Sequence, residues 1–321
     1  MTTESGGAAC STRAVRIGAP AKVNLILRVL DRRPDGFHNL WSLMHTVGLE
    51  DELRLRLSPE TPGIRLSCDD PTLPTDRRNL VVQAAEAVLE RAASRAGIEI
   101  RLTKRIPTGA GLGGGSSDAA ATILGLDRLL GLRWSPDTMV QVGQALGSDV
   151  PFFFFAPSAR VSGRGEAVTP VPVTGTRWIV LVHPGFPIET RWAYQRLART
   201  RATVQPLSDG LRRLSEAQSV SWEEVLPLME NDFEAALAAS HPELRAIEDQ
   251  LLKSGAERAL VSGSGSTVFG VFRDRATAER GRATADRGTG HRAFAVQACT
   301  GSLTCQAVTA DDPSGTCASR S

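Results

Sequence analysis

The chain of 321 residues is 41% hydrophobic and 22% charged, with a net charge of +2. This length suggests about two domains, and the near-neutral charge argues against nucleic acid or an anionic membrane as partner. The five cysteines form no C-x-x-C pair and the five histidines no H-E-x-x-H pattern, which argues against a disulfide framework and a zinc site. No apolar run reaches about 18 residues, so we expect a cytoplasmic protein that spans no membrane.

The first hundred residues show mostly strand patterns. Residues 1–13 are expected to be a disordered leader. Alternating apolar residues predict two strand pieces within 15–30 and a further strand at 49–57. Apolar residues at helical spacing predict an amphipathic helix over 79–96, and a strand is expected at 98–102.

A glycine loop follows that strand and precedes a helix. Five of the seven residues from Gly109 to Gly115 are glycine, and the helix after them offers Ser116 or Ser117 as N-cap and Asp118 in its first turn. Glycines allow backbone amides to approach a ligand closely, and the positive end of the helix dipole attracts negative charge. The loop therefore predicts an anion site, most simply one for a nucleotide phosphate.

Three better-known phosphate loops fit poorly. The glycines match G-x-G-x-x-G, but Asp127, the acid at the distance a dinucleotide fold requires, lies inside the helix pattern. No Gly-Lys-Ser/Thr follows, as a Walker A loop would need, and the chain lacks the H-R-D and D-F-G of protein kinases. A nucleotide loop of another kind remains, with Ser117 placed to reach a phosphate or its metal.

The rest of the chain reads as mixed helix and strand. Proline and glycine near 170–175 suggest a domain boundary, and residues 200–221 give no clear pattern. The polar segment from 299 onward is expected to be a disordered tail whose removal costs little stability. The predicted helices are 136–146, 190–197, 222–238, 242–253 and 276–285, and the predicted strands are 152–155, 177–182, 259–261, 268–272 and 293–298.

Three segments together resemble the motifs of the GHMP kinase superfamily, which acts on galactose, homoserine, mevalonate and phosphomevalonate. They are APAKVNLILRV at 19–29, PTGAGLGGGSSDAAA at 107–121 and SGSGSTVFGVF at 262–272. Two more, DRRPDGFHNLWSL at 31–43 and GSDVPFFF at 147–154, narrow the resemblance to the branch that acts on 4-diphosphocytidyl-2-C-methyl-D-erythritol. The resemblance covers about residues 15–298.

This resemblance implies an α/β, two-domain fold around a central cleft. An N-terminal nucleotide domain at 14–175 would be ribosomal-protein-S5-like, a C-terminal substrate domain at 176–298 would be ferredoxin-like, and 299–321 would be the tail. The implied activity is transfer of the ATP γ-phosphate, with Mg²⁺, to the 2-hydroxyl of that small-molecule substrate in the non-mevalonate isoprenoid route. A monomer or homodimer is expected.

The resemblance also assigns residues. Lys22 and Asp149 match the catalytic pair, although spacing alone would equally fit a solvated strand end and a turn residue. The expected ATP-binding residues are Asn79, Leu80, Lys104, Pro107, Gly109, Ala110, Gly111, Leu112, Gly113, Gly114, Gly115, Ser116 and Ser117, the last as a Mg²⁺ contact. The expected substrate-binding residues are Asn24, Phe37, His38, Thr190, Gly263 and Gly265.

Three positions depart from the family pattern, one of them Ser266, which stands where proline, alanine or glycine is commoner. Phe37 stands where the family usually has tyrosine, and Asp118 stands where it usually has asparagine. Two other interpretations stay open at this point. One is a sibling kinase for homoserine or mevalonate, and the other is a non-catalytic, ligand-sensing homologue.

Overall fold

A long antiparallel ladder of β1 (Arg13–Arg32) and β2 (His38–Leu57) runs through the larger of two main sheets in this computed structural model. The structure describes residues 13–34, 36–58, 62–201, 203–287, 290–299 and 303–309. The predicted leader therefore lies outside the described residues, except for Arg13, which begins β1.

The remaining elements alternate along the chain. The strands are β3 (Ile64–Cys68), β4 (Ile98–Thr103), β5 (Ser158–Gly163), β6 (Ala167–Pro170), β7 (Val173–Thr174), β8 (Trp178–His183), β9 (Val220–Ser221), β10 (Glu230–Asn231), β11 (Arg258–Val261), β12 (Val268–Phe272), β13 (Arg292–Gln297) and β14 (Cys305–Thr309). The helices are α1 (Leu80–Arg91), α2 (Gly114–Leu130), α3 (Pro136–Leu146), α4 (Thr190–Thr200), α5 (Asp209–Glu216), α6 (Trp222–Val225), α7 (Phe233–Leu237), α8 (Pro242–Lys253) and α9 (Arg275–Asp286).

The larger sheet forms the N-terminal domain. Its main order is β10-β1-β2-β4-β3, with β14 also paired to β1 and β5 to β2. Helices α1 and α2 contact each other and pack against this sheet through one core that contains Ile17, Leu53, Val88 and Ile123. This packing fixes the start of α2 over the end of the sheet, where the glycine loop arrives.

The smaller sheet belongs to the C-terminal domain and has the antiparallel order β11-β12-β8-β13. One face, with Val180 and Val182, packs in a core that includes residues of α8 and α9. The other face, with Ile179 and Leu181, shares a core with Leu25 of β1. The two domains therefore have a common apolar core beside the cleft that separates them.

The predicted helices at 136–146 and 242–253 are confirmed to the residue. Ser135 caps α3 by accepting a hydrogen bond from the Thr138 amide, and Pro136 and Pro242 occupy first-turn positions of α3 and α8. Proline suits a first turn because its missing N–H would have no partner there. These boundaries depend on local chemistry, which explains why sequence patterns located them.

Two predicted elements are wrong in form. The apolar run at 152–155 is not a strand, because Pro151 begins a 3-10 helix over Pro151–Phe154. The expected helix at 222–238 is broken into α6, a 3-10 helix at Leu226–Leu228, β10 and α7. Pro227 cannot donate within a helix, and Arg28 of β1 pairs with Glu230 at 2.9 Å, drawing that segment into the larger sheet.

Two more predictions need correction at the ends of the chain. The two strand pieces within 15–30 form one strand, with a register shift between Pro20 and Ala21. The predicted disordered tail contains β14, which pairs with the first residues of β1. Leu303 and Cys305 pack against the N-terminal core. This segment therefore makes apolar contacts that its largely polar composition did not predict.

None of the described helices has the length and apolarity needed to cross a membrane.

A comparison of two truncations tests the contribution of β14. A chain that ends at residue 302 should unfold at a temperature roughly 3–8 °C below that of a chain ending at residue 309, because it loses a strand pairing and partly buried apolar contacts. Calorimetry of both chains measures the difference. Equal melting temperatures would mean that β14 adds no stability.

Candidate functional site

A cavity of about 480 Å³ lies between the two domains and is called here the central cleft. It is bounded by the middle of β1, the end of β4, the glycine loop, the start of α2, the start of α4 and the loop at 262–267. Its lining residues include Lys22, Asn24, Asn79, Leu80, Lys104, Pro107, Gly109, Ala110, Gly111, Leu112, Gly113, Gly114, Gly115, Ser116, Asp118, Asp149, Thr190, Tyr194, Phe233, Gly263, Ser264 and Gly265.

The glycine loop presents a helix start to the cleft. Gly109, Gly111 and Gly113 have φ angles of 66°, 77° and 69°, which side chains other than glycine rarely adopt. The N-cap of α2 is Gly113, without any side-chain cap, so the prediction of Ser116 or Ser117 as cap is wrong. Asp118 lies beyond the first turn. The first amides of α2 therefore keep their capacity to bind an anion.

Lys22 lies in the middle of β1, directly beside the glycine loop. Its amide donates to the Leu112 carbonyl at 2.9 Å, which joins β1 to the glycine loop. The ammonium donates to Asn24 Oδ1 at 2.7 Å and lies 3.4 Å from Asp149 Oδ2. The Lys22 side chain is 5% exposed, whereas that of Asp149 is 33% exposed. A buried cation thus faces an accessible carboxylate across the space in front of the glycine loop.

A second buried lysine has a different environment. Lys104 donates to Asp118 Oδ2 at 2.8 Å and also pairs with the fully buried Asp51. Asp51 in turn accepts the Ile106 amide at 2.9 Å. Burial opposes the charge of Lys104, but the carboxylates of Asp118 and Asp51 raise its pKa above the usual value. Lys104 therefore stays charged and holds β4 to α2 beneath the cleft.

The same cluster changes the acidity of Asp118. Burial raises its pKa to about 7, and Asp51 adds to the rise while Lys104 opposes it. Its second oxygen, Oδ1, is buried and has no hydrogen-bond partner, and neither does the adjacent Ser117 hydroxyl. Two consecutive residues of α2 thus carry buried oxygens that are free to bind a ligand or metal.

The end of the cleft near α1 combines apolar and polar groups. Asn79 caps α1 by accepting the Val81 amide at 3.0 Å, and its own amide donates to the Pro74 carbonyl at 2.8 Å. Leu80 lies close to Gly115, whose added Cβ would come within 3.6 Å of it. Asn79 therefore has a structural role whatever else it binds.

The other end of the cleft carries an aromatic cluster. The ring of His38 stacks on that of Tyr194 at 5.4 Å between centroids, and Tyr194 meets Phe233 edge-on at 4.9 Å. Burial lowers the pKa of His38, with nearby arginines adding to the effect, so its ring is neutral at pH 7. Thr190 shares a hydrogen bond of 3.0 Å with Ser264.

The structure places most of the predicted site residues in the lining of the central cleft. Three do not line it: Ser117 is buried within α2, His38 lies behind Tyr194, and Phe37 is at a turn outside. Sequence reasoning missed Tyr194, whose pKa is raised to about 12 by burial and by the charge of Asp149. The sequence did contain a signal for Tyr194, because it follows the predicted substrate residue Thr190 by four positions on α4, and residues at this spacing are neighbours on a helix surface.

Comparisons with known proteins agree with this architecture. The family model described as "GHMP kinases N terminal domain" matches residues 79–156, and that described as "GHMP kinases C terminal" matches residues 214–288. The first match spans α1, the glycine loop and Asp149, and the second spans the loop at 262–267. The protein is thus an ATP-dependent small-molecule kinase by the class of its domains.

Relatives with assigned names extend the match to most of the chain. A 4-diphosphocytidyl-2-C-methyl-D-erythritol kinase from Syntrophotalea carbinolica is 44% identical over 87% of this chain and 97% of its own length. One from a Geobacter species is 40% identical over 89% of this chain and 99% of its own. The chain belongs to the family of these kinases within the GHMP superfamily.

Solved structures share the fold. The crystal structure of a 4-(cytidine 5'-diphospho)-2C-methyl-D-erythritol kinase matches with a TM-score of 0.72 and 33% identity, over 89% of this chain and all of that one. A homoserine kinase from Cytophaga hutchinsonii matches with a TM-score of 0.70 at 20% identity, over 92% of this chain and 97% of its own. The two-domain GHMP kinase fold predicted from the motifs is confirmed.

The acidity of Asp118 predicts a pH dependence of stability. Its folded-state pKa of about 7 lies above the value of 3.8 expected for the unfolded chain, so its contribution to stability is complete below about pH 4 and is lost as the pH rises through 7. Asp118→Asn removes this titration. The stability of the variant relative to wild type should therefore rise by at least about 1 kcal/mol between pH 4 and pH 8. Urea unfolding at several pH values measures it, and a constant difference would contradict the assignment.

Proposed function

We propose that this kinase transfers the γ-phosphate of ATP to the 2-hydroxyl of 4-diphosphocytidyl-2-C-methyl-D-erythritol in the non-mevalonate isoprenoid route. The observation that carries the proposal is the placement of the Lys22–Asp149 pair beside the uncapped start of α2 in one cleft. Relatives near 40% identity that bear this substrate in their names support it. The cytoplasmic location and the oligomeric state stay predictions from the sequence.

ATP would lie along the glycine loop with its phosphates at the start of α2. Free amides and the helix dipole favour a polyphosphate there, and no side chain competes for those amides. The base would occupy the space between Leu80 and the Lys104 end of β4, where apolar surface lies beside polar groups. Lys104 would mainly line the pocket for the base, because its positive charge is already paired with the carboxylates of Asp51 and Asp118.

The catalytic step would use Asp149 as base and Lys22 as its partner. An alcohol attacks phosphorus best if its proton leaves as the new P–O bond forms, and the accessible Asp149 carboxylate can accept that proton. The Lys22 ammonium would stabilise the attacking oxygen and the charge on the transferring phosphoryl group. Asn24 holds the ammonium in place through its 2.7 Å hydrogen bond.

The buried oxygens of α2 fit a magnesium ion. Mg²⁺ prefers hard oxygen ligands, and Asp118, which lines the phosphate end of the cleft, has an unpartnered Oδ1, while the unpartnered Ser117 hydroxyl is buried next to it in the chain. These residues would hold the ion, which would neutralise charge on the phosphate oxygens when bound.

The substrate would lie toward the aromatic cluster. Its cytosine would stack on the exposed ring of Phe37, with the neutral His38 available for a hydrogen bond to the base edge. Thr190, Asn24 and the backbone of Gly263 and Gly265 would contact the rest of the molecule. Tyr194, although not predicted from sequence, offers a second aromatic surface in the same region.

A substrate panel tests the proposed function directly. ATP consumption is followed with the diphosphocytidyl substrate, with homoserine and with mevalonate. We expect turnover with the cytidine compound alone, because Phe37 and His38 would bind its base and neither homoserine nor mevalonate carries one. Turnover only with homoserine or mevalonate would indicate a sibling kinase, and ligand binding without any turnover would indicate a sensing protein.

Asp149→Asn should separate catalysis from binding. The amide keeps the size of the side chain but cannot accept the proton, so kcat should fall by about 10²–10⁴ while substrate affinity changes little. Asp137→Asn is a matched control, since Asp137 is exposed on α3 away from the cleft. A kcat for Asp149→Asn within about threefold of the control would remove Asp149 from proton transfer.

Phe37→Ala should weaken recognition of the substrate but not of ATP. Loss of a base-stacking surface should raise KM for the diphosphocytidyl substrate by about 10- to 100-fold. Phe37→Tyr keeps the ring and serves as the control, with a KM close to that of wild type. Steady-state kinetics with each substrate varied gives both values. Equal increases in the two KM values would point to a purely structural role.

A further inference from the structure

Two carboxyl groups meet between α7 and α8, outside every role described above. They belong to the half-buried Glu234 of α7 and the buried Glu248 of α8, and they lie within hydrogen-bonding reach of each other. Two carboxyl groups can form a hydrogen bond only if one of them carries a proton, and two negative charges this close in a protein interior strongly disfavour each other. The pair therefore shares one proton.

The partners of the two groups place that proton on Glu234. Arg245 donates to Glu248 Oε2 at 3.1 Å, and this cation favours the ionised form of Glu248. Burial, and then the negative charge of Glu248, raise the pKa of Glu234 to about 8. At pH 7, Glu234 is therefore the neutral donor of the pair and Glu248 is its charged acceptor.

Other titratable groups near the pair do not displace this proton. From α8, Asp249 adds negative charge near Glu248, and His241 lines a cavity of about 380 Å³ that opens beside both carboxyl groups. From α4, Tyr194 meets Phe233 of α7 edge-on, and its pKa of about 12 keeps it neutral. Charged groups on β10, on β11 and just before α7 are paired elsewhere: Glu230 with Arg28, Asp232 with Arg28 and Arg201, and Arg258 with the carbonyls of Leu226 and Pro227.

Glu234 also binds the strand that leads into the loop at 262–267. Its Oε1 accepts the amide of Val261, the last residue of β11, at 3.1 Å. Asn231, three residues before Glu234, donates to the carbonyls of Val261 and Gly263 at 2.7 and 2.8 Å. Since β11 is an edge strand of the smaller sheet, these two side chains bind backbone groups at its outer edge. One short segment thus fixes the base of the loop.

The loop at 262–267 in turn faces the central cleft. Gly263, Ser264 and Gly265 line the cleft, and the Ser264 hydroxyl shares its hydrogen bond with Thr190. A displacement of Val261 would therefore move backbone and hydroxyl groups at the substrate end of the cleft.

We propose that Glu234 is a positioning residue for the substrate: in its protonated form, hydrogen-bonded to Glu248, it holds Val261 and so sets the loop at 262–267 against the cleft. The inference rests on the proposed function, in which Gly263 and Gly265 contact the substrate. Glu234 itself does not touch the substrate, and its effect passes through the Val261 amide.

Loss of the proton should release this contact. Glu248 is held by Arg245, so repulsion between two carboxylates would displace the ionised Glu234. Repulsion between adjacent buried charges outweighs the gain from one amide hydrogen bond, so Glu234 would leave Val261 as well. The loop is therefore set below a pH of about 8 and loosened above it.

The pH dependence of KM tests the proposal. In the wild-type chain, KM for the diphosphocytidyl substrate should rise roughly five- to tenfold between pH 7 and pH 9, as the fraction with a set loop falls. Glu234→Gln keeps an acceptor for Val261 and a donor for Glu248 but cannot ionise, so its KM should stay nearly constant. Glu248→Gln should also flatten the profile, because it removes the repelling charge. Glu243→Gln, on the exposed surface of α8, is the matched control and should behave as wild type.

Glu234→Ala should lose the contact at every pH. Its KM for the diphosphocytidyl substrate should be about three- to tenfold above wild type at pH 7 and should not rise further at pH 9, since one hydrogen bond is already absent. kcat should change little in each of these variants, because Lys22 and Asp149 are held by other elements. A fall in kcat alone, with KM unchanged, would overturn the positioning role.

Hydrogen exchange of the full chain without substrate gives a second measurement. The peptide 260–268 has the same sequence in wild type and Glu234→Gln, so the ratio of their exchange rates cancels the intrinsic effect of pH. This ratio should be near one at pH 7 and rise about five- to tenfold at pH 9. A constant ratio, or the same rise of KM with pH in both chains, would overturn the proposal. Absence of turnover by the wild-type chain would instead refute the proposed function, and the exchange measurement would still decide the role of Glu234.

Discussion

Contact between two glycine-containing loops from different domains holds the site together. The Ser262 hydroxyl donates to the Gly111 carbonyl at 2.9 Å, and the Thr267 amide donates to the Ala110 carbonyl at 3.1 Å. A Cβ on Gly111 would lie 2.1 Å from the Ser262 carbonyl oxygen, so only glycine permits this approach. Asn231 anchors the C-terminal loop by donating to the carbonyls of Val261 and Gly263. The facing walls of the cleft depend on this docking.

Two buried lysines beside the cleft differ in how much of their charge is already paired. Lys104 lies between two buried carboxylates, which satisfy its charge and tie β4 to α2. Lys22 has an amide oxygen and one more distant carboxylate, so its ammonium keeps the capacity to bind a further anion. The desolvation of a buried ammonium must be offset by partners, and the number of partners decides how much charge is left for a ligand. An added Cβ on Gly113 would lie 2.9 Å from Lys22 Cγ, so glycine there leaves room for the lysine stem.

Much of the candidate site could be predicted because its signals are local or belong to short motifs. The glycine loop, Lys22 and Asp149 were recognisable without a structure, and their common cleft followed from the resemblance to GHMP kinases. Asp118 was placed in the first turn of its helix by pattern. Its pairing with Lys104 and its unpartnered oxygen arise only when β4 and α2 pack together. Tyr194 was missed because stacking on His38 joins residues more than 150 positions apart.

The sequence by itself determined where helices begin when the start signals are adjacent in the chain. Ser135 with Pro136, and Pro242, set α3 and α8 through hydrogen bonds and torsions within one turn. Tertiary structure alone decided β10 and β14, because both are too short to be stable without β1 and form only when its edge is available. Tertiary structure also decided the conformation of the apolar run at 152–154, which packs into the core as a 3-10 helix. Apolar character predicts that such a run is buried, but it does not determine whether the backbone is a strand or a helix.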